Sequence, residues 1–139
     1  MAHILIVDDE PVCAELAAII CKAAGHTVAL ASNGMEALVL LDCDTFDLVI
    51  SDALMPLMGG LDLTRAIRST RASYGNVPIV GMTARAGARD VQALLEAGMT
   101  EVVTKPLRNA NLLGVVTNVL ATANTTVLIY RATPARRAG

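Results

Sequence analysis

The chain has 139 residues, 54% of them hydrophobic and 17% charged, with a formal net charge of −2. That length suits one domain with its own core, and that apolar content excludes a disordered chain. The slight acidity leaves no electrostatic footprint for nucleic acid, and no apolar run reaches the about 20 residues that span a bilayer.

Aromatic side chains are confined to Phe46, Tyr74 and Tyr130, so the core must be aliphatic. Cys13, Cys21 and Cys43 lack C-x-x-C spacing and read as small buried hydrophobes in a reducing compartment. The start, Met1 to Val7, lacks the basic region of a signal peptide. A cytoplasmic location is expected. His3 and His26 lie too far apart in sequence to suggest a shared metal.

His3 to Val7 reads as a first strand, ending at Asp8-Asp9-Glu10. Pro11 suits the first turn of a helix, and acids there favour the positive end of its dipole. That helix is expected to run to about Ala24, with Val12, Leu16, Ile19, Ile20 and Ala23 inward, and Gly25 stopping it. Thr27 to Ala31 is a second strand. Ser32-Asn33-Gly34 opens a helix to about Leu41, with Ala37, Leu38 and Leu41 inward. Asp47-Leu48-Val49-Ile50 begins a buried third strand that closes on Asp52. Pro56 and Gly59-Gly60 break the chain there, and a third helix covers about Gly60 to Ser69.

Val77 to Met82 is a fourth strand ending at Thr83, with Pro78 at its beginning, where a missing donor does least harm. A fourth helix covers about Ala86 to Ala97 and stops at Gly98. Glu101 to Thr104 is a fifth strand, ending at Lys105-Pro106, and a fifth helix covers about Asn109 to Ala121. Five strands alternating with five helices predict an α/β fold, a doubly wound parallel sheet of flavodoxin-like order 2-1-3-4-5. The domain is expected over 1–121, with 122–139 as an extension. Thr125 to Tyr130 is β-branched and apolar. It reads as an added strand on a sheet edge, of its own chain or of a second copy in a homodimer. The competing reading is a frayed end, with Pro134 to Gly139 disordered.

Strand ends carry the chemistry. Strand one ends in Asp8 and Asp9, strand three in Asp52, strand four in Thr83 and strand five in Lys105. In the order 2-1-3-4-5 those four strands are neighbours, so the residues converge on the carboxyl edge, where open α/β sheets bind ligands. Three carboxylates about 5 Å apart repel by roughly 3 kcal/mol per pair at an effective dielectric of about 20. One lysine cannot offset that. A divalent cation can, and all-oxygen ligation suits Mg²⁺. Asp52 is then the candidate nucleophile for a phosphoryl group, with Thr83 and Lys105 placed to meet its oxygens.

These residues carry a resemblance. Over roughly residues 3 to 121 the chain resembles the receiver domain of two-component response regulators. The matching pieces are Ile4 to Glu10, Asp52-Ala53-Leu54-Met55-Pro56 with Met58 and Gly60, Met82-Thr83-Ala84, and Lys105-Pro106. Met82 through Met99 is similar to receivers that serve phosphorelays or are fused to hybrid histidine kinases. The resemblance implies that Asp52 takes phosphate from a phosphohistidine on a histidine kinase or histidine phosphotransfer protein. It implies Mg²⁺ on Asp9, Asp52 and the Leu54 backbone carbonyl, with Asp8 assisting through water. Thr83 would bind the phosphoryl group and shift with it, and Lys105 would pair with it. Lys105–Pro106 is expected to be cis.

The chain departs from the family in three places. Val102, the candidate switch residue with Thr83, stands where an aromatic is usual. Gly59 stands where an Asp is common, and Leu54 and Arg85 occupy variable positions beside the phosphoryl pocket. Output is expected through a protein target on the face of helix four, strand five and helix five. No turnover of an external substrate is expected.

Three other readings share the topology. A flavodoxin-type cofactor binder needs a phosphate-cradling loop after strand one, and Asp8-Asp9-Glu10 has the wrong sign. A phosphatase of the haloacid dehalogenase type calls for an acid two residues after the nucleophile, where Leu54 stands. A receiver-shaped binding module that does not use phosphate is the third.

Overall fold

In the computed structural model, residues 1–132 are described except 56, 85 and 86, with side chains described through 122. The elements are β1 (His3–Val7), α1 (Pro11–Ala23), β2 (Thr27–Ala31), α2 (Gly34–Cys43) and β3 (Leu48–Asp52). There follow α3 (Gly60–Ser69), a short 3₁₀ turn, β4 (Ile79–Thr83), α4 (Ala88–Ala97), β5 (Glu101–Thr104) and α5 (Asn109–Ala132). All strand pairs are parallel, in the order β2-β1-β3-β4-β5.

The central strands β1, β3 and β4 are buried on both faces, as their continuous apolar runs require, while the edge strands β2 and β5 are partly exposed. Ile4, Ile6, Leu48, Ile50, Val80 and Met82 face α1 and α5. Leu5, Val7, Val49 and Ile79 face α2, α3 and α4. Each helix starts where its sequence allows. Pro11 opens α1, and the Asn33 side chain accepts from Glu36 N–H to cap α2. Gly98 closes α4 in the left-handed region, at φ 119°. The Lys105–Pro106 bond is cis, as expected.

Two expectations are corrected. The first is the inner face of α1. Val12 (82% exposed), Leu16, Ile19 and Ala23 lie on the outside, and of the expected inward set only Ile20 is buried. The inner face is Ala14, Ala17, Ala18 and Cys21. Both stripes have helical spacing, so periodicity cannot choose between them. Small side chains win because they let the helix lie close against the sheet.

The second is the tail. No strand forms over 125–130, because α5 continues through Ala132. It passes without a break across 121–122, where the sequence reading ended the domain. Extending an existing helix needs no new nucleus, and no Gly or Pro interrupts residues 115–133. The β preference of Thr, Val and Ile is contextual and needs a partner strand. The expectations for residues 133–139, for Arg85 and for a helix start at Ala86 lie outside the described residues.

Candidate functional site at the carboxyl edge of the sheet

Register alone brings the acids together. Val7 pairs with Ser51, so Asp8 follows β1 at the height where β3 ends in Asp52. Asp52 in turn pairs with Met82, which sets Thr83 one residue beyond, and Thr83 pairs with Thr104, just before Lys105. Each side chain is thus placed by a parallel neighbour.

Asp8, Asp9 and Asp52 each offer a carboxylate oxygen, all within 4.8 Å of one another. Asp8 and Asp52 are buried and Asp9 is exposed. Asp8 is held by the Glu10 N–H at 2.9 Å. The ammonium of Lys105 reaches both buried acids, 3.3 Å from Asp8 Oδ2 and 3.4 Å from Asp52 Oδ1. Thr83 is buried beside them.

The electrostatics follow from burial and like charge. Burial holds the Asp52 carboxyl above its usual range, and the Asp8 charge adds to this. Lys105 and the Leu54 N–H pull it back. Burial disfavours the Lys105 ammonium, but Asp52, Asp8 and Cys13 outweigh burial and fix it in the charged form. Lys105 thus pairs with two of the three acids, Asp8 and Asp52, and the donor set of the cluster is all oxygen. That is the chemistry of a hard divalent ion such as Mg²⁺.

Gly60 lets the loop after Asp52 close. A Cβ there would fall on the Asp52 carbonyl oxygen, and the Gly60 N–H donates to Ala53 O at 3.0 Å. Leu57 takes φ 72° in the same loop. Leu54 and Leu57 are 69% and 80% exposed, so the loop after Asp52 presents apolar side chains to solvent.

Sequence reasoning placed Asp8, Asp9, Asp52, Thr83 and Lys105 correctly on one edge. Val102 is half-buried, one strand over from the site, and partners Gly81. Cys13 was missed. It packs against the core layer of α1 and α5, as a small hydrophobe would, but it also lies beside the site: burial and Asp8 push its thiol up while Lys105 pulls it down. The histidines are elsewhere. His3 stacks on Phe46 at 4.5 Å, and His26 Nδ1 accepts from the Ala2 N–H.

Comparisons agree with this geometry. The family model for the response regulator receiver domain matches residues 4–117. The CAI-1 autoinducer sensor kinase/phosphatase CqsS of Vibrio cholerae is 35% identical over 104 residues, 75% of this chain and 15% of that protein. The chain thus spans a small part of the curated relatives it matches. A putative response regulator from Chloroflexus aurantiacus superposes with a TM-score of 0.82 at 32% identity, covering 86% of this chain and 98% of that one. The receiver domain of sensor histidine kinase PA1611 from Pseudomonas aeruginosa, solved with magnesium in its active-site cleft, gives 0.79 at 28%, with the same coverage. Among the described residues, no helix is long and apolar enough to cross a membrane. The chain belongs to the response regulator receiver-domain family, the signalling modules of two-component phosphorelays.

Proposed function

We propose that Asp52 accepts a phosphoryl group from the phosphohistidine of a histidine kinase or histidine phosphotransfer protein. The observation that carries this is the three-acid cluster within 4.8 Å, with Lys105 bridging its two buried members, Asp8 and Asp52. A carboxylate oxygen of Asp52 attacks phosphorus. The P–O bond forms as the P–N bond breaks, and the electron pair stays on the imidazole nitrogen, which takes a proton. Asp8, Asp9, Asp52 and the Leu54 carbonyl would hold Mg²⁺, which when bound neutralises charge gathering on the phosphoryl oxygens. Lys105 exchanges its pairing with Asp52 for one with the new phosphoryl group, and Thr83 donates to that group.

The donor is proposed to dock along α1. That helix begins beside Asp8 and Asp9 and carries Val12, Leu16 and Ile19 exposed. A contiguous exposed apolar stripe marks an interaction surface. Output passes to a protein target through α4, β5 and α5. The domain turns over no external substrate. A phosphatase reading gains nothing from Leu54, an exposed apolar residue where the second acid would stand. The binding-module reading rests on Val102 alone.

The test is intact mass after incubation with acetyl phosphate and Mg²⁺. One phosphoryl group should add, and Asp52→Asn or chelation should abolish it. Label that persists in Asp52→Asn overturns the assignment. No label in the parent, from acetyl phosphate or from phosphorylated kinases, establishes the binding module instead.

A further inference from the structure

Helix α4 is held to the sheet by little. Leu94 is its only buried residue. Behind its C-terminal cap, Met99 is buried too, 4% exposed, in the same core layer. The two are tied directly, because the Met99 N–H donates to the Leu94 carbonyl at 3.2 Å.

Met99 occupies an unusual place. On β4, Ile79 faces this layer, so Gly81 and Thr83 face it as well, at intervals of about 7 Å. Gly81 has no side chain, and the Met99 sulfur sits where its Cβ would be. Val102 of β5 closes the other side, with Cγ2 3.8 Å from that position. Thr83, the next residue in the column, borders a cavity of about 150 Å³ whose far wall is Asp90, Ala93 and Leu94 of α4. Thr83 thus has room on the α4 side, and both anchors of α4 lie in the layer it faces.

Met99 and Val102 supply the atoms nearest the missing Gly81 Cβ among the described residues, and of these two Met99 is the one able to follow a movement of Thr83. Val102 is β-branched and stiff at χ1. Met99 has three rotatable bonds and an adaptable thioether. We propose that Met99, seated over Gly81, is the positioning residue that couples the state of Thr83 to helix α4. This rests on phosphorylation at Asp52 as the event that moves Thr83. It assigns the coupling to a residue outside β5, so it does not depend on an aromatic at position 102.

The test uses the full chain labelled with ¹³C-methyl methionine and ¹⁵N, with and without acetyl phosphate and Mg²⁺. On labelling of Asp52, the Met99 methyl and the amides of Val91 to Ala97 should shift together. In Met99→Ile, and in Gly81→Ala combined with Met99→Ala, Asp52 should be labelled to the same extent and the α4 shifts should be lost. The double variant returns a methyl from the strand side to the space it empties. A parent whose Asp52 is labelled while the Met99 methyl stays in place overturns the inference, and this measurement needs no variant. Variants with undiminished α4 shifts also overturn it. A parent that takes no label removes the inference together with the reading of the site, and mass spectrometry separates that case from the others.

Discussion

Lys105 Nζ stands 3.4 Å from Asp52 Oδ1, so the candidate nucleophile is ion-paired to the lysine that follows β5. The same ammonium lies 3.3 Å from Asp8. A divalent cation held by these carboxylates would compete with the lysine for them. Lys105→Ala should bind Mg²⁺ several-fold more tightly than the parent in calorimetric titration. Equal or weaker binding would show that Lys105 does not oppose the metal.

Repulsion among the three acids should weaken the metal-free fold. Saturating Mg²⁺ should raise the melting temperature, since a ligand at a hundred times its Kd stabilises by about 2.7 kcal/mol. Asp9→Ala should lose most of that rise. Asp52→Asn should raise the metal-free melting temperature, because it removes a buried charge next to Asp8. Thermal melts with and without chelator check both, and a lower metal-free value for Asp52→Asn would contradict the second.

The exposed stripe of α1 separates docking from folding. Val12→Lys and Ile19→Lys should each change stability by less than about 0.5 kcal/mol. Both should leave labelling by acetyl phosphate intact and slow transfer from a phosphorylated kinase. Ala17→Leu, on the packed face, should cost about 1–3 kcal/mol by overpacking. Denaturant melts and transfer assays on the same samples decide. Unfolding of Val12→Lys would place that residue in the core after all.

Cys21 gives a pH signature. It is fully buried, and burial pushes its thiol up to about 11 from an ordinary 9.0. The native state keeps the neutral thiol, so its contribution is complete below pH 9 and is lost as pH rises through about 11. The slope of stability over that range should flatten in Cys21→Ala. Alkylation should reach exposed Cys43 first and Cys21 only on unfolding. An unchanged slope in Cys21→Ala would mean that the alkaline loss comes from other groups.

Leu57 offers a stability gain. It is 80% exposed at φ 72°, a region that asparagine tolerates better than leucine. Leu57→Asn should stabilise by up to about 1 kcal/mol. Chemical denaturation measures it, and a net loss would assign the leucine a packing role.

The sequence by itself determined the sheet and the residues on its working edge. Its strands are apolar runs bounded by Asp, Gly and Pro, and a fully buried parallel strand reads that way without knowledge of its neighbours. Asp8, Asp9, Asp52, Thr83 and Lys105 were legible because each sits at a strand end, and strand order then forces them together. The tertiary structure decided what depends on partners distant in sequence. α1 has two stripes of equal period, and only the closeness of the sheet selects Ala14, Ala17, Ala18 and Cys21 over Val12, Leu16 and Ile19. Residues 125–130 carry strand composition but continue a helix, because composition supplies no partner strand and α5 supplies a nucleus already formed. Met99 over Gly81 and Cys13 against Asp8 are contacts between segments, and no local pattern encodes which side chain fills a space opened on another strand.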